Sequence, residues 1–180
     1  MQGNTLRKRR HKRESLSENQ NQAGARMIGV ERLKEIELSR DLTTDELEVM
    51  SQICEVKTYE ASSVIFKEGD EGKEMYVVDE GMVNCMIHPT PDQPVVVGTK
   101  TRNSLFGWSA MISPHRYTAT AKAAEKTRVF VARGSDLRRI CGVNPHICSK
   151  VMEKIVCIVD DQLVKTRQAL IQAFYESHGR

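Results

Sequence analysis

The chain has 180 residues, a length that suits one domain with an added helix. Its hydrophobic fraction is 39%, and it has 27 Lys/Arg against 24 Asp/Glu. No apolar run is long enough for a membrane span, and no hydrophobic segment follows the charged N-terminus as in a signal peptide. The five cysteines are widely spaced and form no CxxC pair. The sequence therefore predicts reduced thiols in a cytoplasmic protein.

The basic charge is concentrated at the N-terminal end. Residues 1–26 carry seven of the Lys/Arg and two of the Asp/Glu, and include the run RKRRHKR. We predict a disordered, solvated tail there, with a nucleic-acid or anionic-membrane arm as the alternative. The remaining chain has a slight acidic excess, whereas a nucleic-acid-binding domain usually has a basic folded surface.

Two helices are predicted at the start of the folded part. The stretch VERLKEIEL has apolar residues near helical spacing at Val30, Leu33, Ile36 and Leu38. In LTTDELEVMSQIC, Thr43 or Thr44 can cap a second helix.

Short strand segments separated by turn residues follow. These segments are VKTYE, SSVIF, EMYVVDE, MVNCMIH, VVVGT and RVFVAR. Gly81 lies between the third and fourth, where it can take the positive φ of a tight hairpin. Many short strands favour an antiparallel sandwich or barrel over a sheet built from βαβ units.

The C-terminal part returns to helical patterns. Ser135 or Asp136 is predicted to cap a helix over DLRRIC, and Asn144 with Pro145 to open a long helix that ends near Ser177. One face of that helix has coiled-coil spacing at Met152, Val156, Val159, Leu163, Thr166, Leu170 and Ala173. A second stripe covers its first half at Cys148, Val151, Ile155 and Ile158. Two apolar faces predict that one packs on the strands and the other forms a homodimer.

Two motifs and the order of elements resemble the cyclic-nucleotide-binding domain family, found in cyclic-AMP receptor transcription factors, cyclic-nucleotide-dependent kinases and gated channels. The stretch VIFKEGDEGKEMYVVDEGMV resembles its strand and turn pattern, with turn glycines at Gly69, Gly72 and Gly81. The stretch LFGWSAM…TATAKA resembles its phosphate-binding cassette. The resemblance implies a mainly β fold with flanking helices, an eight-stranded jelly roll (double-stranded β-helix) over residues 27–143. A dimerisation helix over residues 144–180 would follow, with no winged helix-turn-helix, so we expect no specific DNA binding.

The cassette departs from the family pattern at its two strongest ligand contacts. In the family, N–H groups of a short helix after Phe-Gly and a following Arg hold the cyclic phosphate, and a Glu directly after Phe-Gly accepts from the ribose. Here Trp108 stands at the Glu position and Tyr117 at the Arg position, with Arg116 one place earlier. The candidate pocket residues are Phe106, Gly107, Trp108, Ser109, Ala110, Arg116, Tyr117 and Thr118.

Three interpretations of this cassette follow. In a filled pocket, Trp108 packs where the ribose would sit. In an altered pocket, Trp108 and Tyr117 stack on a ring while Arg116 and backbone N–H groups hold a nucleotide or another anion. In the third, a cyclic nucleotide binds. The sequence favours the filled pocket and a stand-alone regulatory or interaction module with no cofactor. The alternatives are a relative of transcription regulators that senses another anionic or aromatic ligand, and a ligand-free structural dimer with an unidentified protein partner.

Enzymatic function is not expected. Metal-dependent enzymes with a jelly roll need clustered His and carboxylate ligands, and the histidines His88, His115 and His146 are scattered. Arg133, Arg138 and Arg139 form a small basic patch, which we interpret as a solvated surface. The segment from Gly134 to Pro145 is the expected hinge through which a ligand would act on the long helix.

Overall fold

The computed structural model describes residues 28–90 and 93–178, so the predicted tail over residues 1–26 lies outside the described residues. Helix α1 (Val30–Lys34), a 3-10 helix (Glu37–Ser39) and helix α2 (Thr44–Ile53) precede the strands, and helices α3 (Gly134–Val143) and α4 (Pro145–His178) follow them. The strands are β1 (Cys54–Tyr59), β2 (Val64–Phe66), β3 (Glu74–Glu80), β4 (Val83–Thr90), β5 (Gln93–Lys100), β6 (Leu105–Phe106), β7 (Thr120–Ala123) and β8 (Thr127–Arg133).

The eight strands form two antiparallel sheets of four, in the orders β1-β8-β3-β6 and β2-β7-β4-β5. This confirms the predicted jelly roll with flanking helices. In β3, the five residues from Met75 to Asp79 are buried consecutively. Met75 and Val77 face the helices, while Tyr76 and Val78 face the interior of the roll. Both faces of this sheet are therefore covered, which explains the continuous apolar run of the strand.

The N-terminal helix is shorter than predicted. A single helix over VERLKEIEL is wrong, because α1 ends at Lys34 and a 3-10 helix follows. Ile36 and Leu38 are both buried, and residues two apart on an α-helix point in nearly opposite directions. The second helix starts as predicted, since Thr43 accepts from the Glu46 N–H (3.3 Å) and the Glu46 carboxylate accepts from the Thr43 N–H (2.9 Å).

A buried carboxylate fixes α1 to the first sheet. The side chain of Asp79 is 5% exposed and accepts from Arg32 Nη2 at 2.6 Å and from Arg128 Nε at 2.5 Å. Burial by itself raises the pKa of Asp79, but hydrogen bonds from Arg32 and Arg128 outweigh burial and hold that pKa below its usual value. Asp79 is therefore ionised and pairs with both guanidinium groups.

Helix α3 does not have the predicted side-chain cap. Neither Ser135 nor Asp136 caps it, because the helix begins at Gly134, whose N–H donates to the Lys73 carbonyl oxygen at 2.8 Å. A Cβ at Gly134 would lie 2.6 Å from the Ala110 carbonyl oxygen. The backbone of α3 thus packs directly against a neighbouring turn, and this contact fixes where the helix begins.

Helix α4 starts where the sequence predicted, since Asn144 Oδ1 accepts from the Ile147 N–H at 3.1 Å. Its 34 residues span about 51 Å. The stripe that packs on the core consists of Ile147, Val151 and Ile155. Cys148, which was predicted as the first residue of that stripe, is only half-buried. Ile147 takes its place, because Ile147, Val151 and Ile155 are spaced four residues apart and so lie on one face of the helix. Within residues 28–90 and 93–178, no helix has the length and apolar content needed to cross a bilayer.

Candidate functional site

The turn after β6 has the geometry that the cassette requires. Gly107 has a left-handed φ of +73° and precedes a 3-10 helix, Trp108–Ala110. A Cβ at Gly107 would lie 2.9 Å from Tyr76 Cδ2 and 3.0 Å from the Glu74 carbonyl oxygen, so glycine is needed for both conformation and space. The first hydrogen bond of the turn runs from the Ala110 N–H to the Gly107 carbonyl oxygen (3.1 Å).

A cavity of about 100 Å³ lies between this turn, the second sheet and α4. Six of the eight candidate pocket residues line it: Phe106, Gly107, Trp108, Ser109, Tyr117 and Thr118. Sequence reasoning missed the other lining residues, which are Phe66, Cys85, Val97, Ala119 and Gln162. Ala119 directly follows a candidate residue and could have been included. The others come from distant parts of the chain, and no local motif marks them.

The two remaining candidates, Ala110 and Arg116, do not line the cavity. Arg116 is exposed, and its Nη1 donates to the Gly69 carbonyl oxygen at 2.8 Å. Its backbone forms an isolated bridge with Glu71. Ala110 is fully buried, and its carbonyl oxygen accepts from the Arg138 guanidinium. The arginine nearest to the family's Arg position therefore binds the loop between β2 and β3.

Tyr117, at the family's Arg position, is used structurally. Its hydroxyl donates to the Glu74 carbonyl oxygen (2.8 Å) and accepts from the Glu74 N–H (3.0 Å). Its ring stacks on Phe66, with ring centroids 3.7 Å apart and planes 13° apart. Burial raises the pKa of Tyr117 although its hydrogen bonds to Glu74 act against this. The hydroxyl is therefore neutral, and backbone groups of Glu74 already use its hydrogen and one of its lone pairs.

The interior next to the cavity is filled by aromatic rings. Phe106 stacks on Tyr76 with centroids 4.9 Å apart, and Phe66 lies 5.6 Å from Tyr76 and 6.1 Å from Phe106. Together with Tyr117 these residues form one cluster, which we call the aromatic cluster. Aromatic pairs at such distances add to the free energy gained from burial. The cluster therefore stabilises the roll without a ligand.

Trp108, at the family's Glu position, forms part of the cavity wall. Its side chain also packs against the apolar cluster under the helices, and Lys100 Nζ lies 5.7 Å from its ring centroid, a distance at which a cation is attracted to the ring. No charged side chain lines the cavity within the part of the chain that the structure describes. The cavity thus has neither a carboxylate for a ribose nor a cation for a phosphate.

Comparison with known proteins identifies the family. Residues 56–144 match the family model of the cyclic nucleotide-binding domain. A protein of Rhodopseudomonas palustris named as a potassium channel is 28% identical over 117 residues, 64% of this chain and 28% of that protein. Glutaminase 1 of Bradyrhizobium diazoefficiens is 26% identical over 132 residues, 73% of this chain and 21% of that protein. The chain spans about a quarter of the length of these curated relatives.

A solved structure agrees with the match. The crystal structure of a cyclic nucleotide-binding protein from Geobacter metallireducens superposes with a TM-score of 0.68 at 28% identity, covering 76% of this chain and 99% of that one. Residues 56–144 therefore form a domain of the cyclic nucleotide-binding family, as the motifs predicted. Domains of this family are regulatory and generally carry no catalysis of their own.

Proposed function

We propose that this chain is a cytoplasmic regulatory or interaction module without catalytic activity, which does not bind cyclic AMP or cyclic GMP in the family's usual way. The observation that carries this proposal is the small, uncharged cavity at the cassette. It holds about 100 Å³, whereas sites for drug-sized ligands hold about 300–1,000 Å³. Removing the charge of a phosphate from water without a cationic partner is also costly.

The altered pocket has less support than the filled one. It needs Arg116 to hold an anion, and the Arg116 guanidinium donates to Gly69 instead. It also needs Tyr117 to stack on a ligand, and that ring already stacks on Phe66. These contacts of Arg116 and Tyr117, together with the small volume of the cavity, support the filled pocket.

Dimerisation through α4 is the second part of the proposal. The predicted seam residues Val156, Val159, Leu163 and Leu170 are 62, 42, 46 and 70% exposed in the single chain, while Met152 is half-buried. Thr166, a weak position of the seam, donates to the Gln162 carbonyl oxygen of its own helix (2.8 Å) and so needs no partner in an interface. A row of exposed apolar residues at heptad spacing favours a coiled coil with a second copy.

Thermal unfolding with about 1 mM cyclic AMP or cyclic GMP tests the ligand part of the proposal. A ligand with a Kd of about 10 µM would stabilise the fold by about 2.7 kcal/mol at that concentration, which raises Tm by about 5 °C or more. We expect the same small shift, below about 1 °C, with either cyclic nucleotide and with 5′-AMP as the matched control. A saturable shift with a cyclic nucleotide that 5′-AMP does not produce contradicts the proposal.

A further inference from the structure

A second and larger concavity lies behind the aromatic cluster. Phe66 and Tyr117 line both this concavity and the cavity at the cassette, so the stacked ring pair is the wall between them. The concavity measures about 750 Å³, within the range of about 300–1,000 Å³ that is usual for small-molecule sites. We call it the α3 groove, because the first turn of α3 forms one of its sides.

The lining of the α3 groove combines aromatic, basic and acidic side chains. Phe66, Tyr76 and Tyr117 are its aromatic residues, and Arg133, Ser135 and Arg138 line it at the start of α3. The pattern of a flat apolar wall with a few polar groups is typical of small-molecule sites. The lining of the cassette cavity includes the polar residues Ser109, Thr118 and Gln162 but, among the described residues, no charged side chain.

The acidic residues of the groove already have partners. The Glu74 carboxylate accepts from Lys57 Nζ at 2.6 Å and from the Tyr76 hydroxyl at 2.9 Å. Asp70 accepts from the Lys67 N–H at 3.2 Å, and Glu71 lies 3.4 Å from Lys73 Nζ. These carboxylates are therefore neutralised or hydrogen-bonded without a ligand.

Unlike these carboxylates, the arginines Arg133 and Arg138 have hydrogen-bond donors without a partner among the described residues. Arg133 makes no side-chain hydrogen bond or ion pair with any residue in the ranges 28–90 and 93–178, although it borders the groove. Arg138 uses one guanidinium nitrogen to donate to the Ala110 carbonyl oxygen, and its other N–H groups remain for further partners. Guanidinium groups bind carboxylates and phosphates through paired hydrogen bonds.

We infer that the α3 groove binds a small organic anion with a flat apolar ring, whose carboxylate or phosphate pairs with Arg133 and Arg138 while the ring lies against the half-buried side chains of Ile65 and Phe66. This site differs from the cassette cavity and does not depend on whether that cavity is closed. A ligand on Arg138 would also reinforce the contact between α3 and Ala110.

Isothermal titration calorimetry of the full chain with phenyl phosphate and with benzoate tests this inference. We expect one site per chain for at least one probe, and the two probes distinguish phosphate from carboxylate recognition. Arg133→Gln should weaken binding by about tenfold or more, because it removes a charged hydrogen-bond partner. Arg139→Gln is the matched control, since Arg139 is an exposed arginine of α3 that does not line the groove.

Arg133 is exposed, and its side chain has no hydrogen bond or ion pair with the residues that the structure describes, so Arg133→Gln should unfold at the same temperature as the unchanged chain. Trp108 lines the cassette cavity but not the groove, so its emission should stay constant while the heat of binding saturates. The inference is overturned if neither probe binds, if both arginine variants weaken binding equally, or if Trp108 emission titrates with the same Kd. None of these results decides whether cyclic nucleotides bind, which the Tm measurement tests separately.

Discussion

A chain with Leu163→Lys and Leu170→Lys is expected to sediment as a monomer at concentrations where the unchanged chain is a dimer. Both leucines belong to the α4 seam and are 46 and 70% exposed in the single chain. Burying a leucine contributes about 1.5–3 kcal/mol, and a symmetric dimer buries each position twice. Loss of four leucines should weaken dimerisation by about 6 kcal/mol or more, which is a factor of about 10⁴ in Kd.

The matched control adds the same charges elsewhere on α4. Gln168→Lys with Gln172→Lys places two lysines on exposed positions outside the seam, and we expect this variant to remain a dimer. Sedimentation velocity across a concentration series measures both variants beside the unchanged chain. A dimeric seam variant, or an unchanged chain that is monomeric throughout the series, would show that α4 is not the dimer interface.

Gly81→Ala is expected to lower the free energy of unfolding by about 3 kcal/mol or more. Gly81 has a φ of +89°, and a Cβ there would lie 2.6 Å from the Lys126 carbonyl oxygen and 2.8 Å from Thr127 Cα. Both neighbours are backbone atoms, so relief of the clash must move the chain. The Thr127 hydroxyl also accepts from the Met82 N–H (3.1 Å) and donates to the Met82 carbonyl oxygen (3.0 Å), and any such movement disturbs this pair.

Gly142→Ala provides the control for the same chemical change. A Cβ at Gly142 meets nothing within 4 Å, and the residue lies in α3, so alanine should stabilise the chain by about 0.5–1 kcal/mol. Urea unfolding of the two variants gives both free energies. Equal effects at the two positions would contradict the tight turn at Gly81.

The predictable parts of the fold are those encoded by local chemistry. The Thr43–Glu46 capping box, the hairpin glycine Gly81 and the Asn144–Pro145 helix start lie in short stretches where residue type selects the conformation. The start of α3 was not predictable, because the Lys73 carbonyl oxygen that fixes it lies 61 positions earlier in the chain. Strand β6 has two residues, too few for an alternating pattern.

The same division applies to the candidate site. The cassette motif located six of the eleven lining residues, because these six lie in two short stretches of the chain, 106–109 and 117–118. Gln162 reaches the cavity from α4, and Arg116 turns to Gly69; both depend on packing between distant segments. The α3 groove has no local signal in the sequence, because Phe66 and Tyr117 lie far along the chain from Arg133 and Arg138 and only the fold brings them to one concavity.

Titration of Trp108 fluorescence with cyclic AMP and cyclic GMP tests the central claim most directly. Trp108 is the only tryptophan of the chain and lines the cassette cavity, so a ligand entering that cavity must change its surroundings. A closed cavity predicts a blue-shifted emission that stays constant with added nucleotide and resists an aqueous quencher. A saturable change of emission with either cyclic nucleotide would show that the cavity opens to the family's ligand.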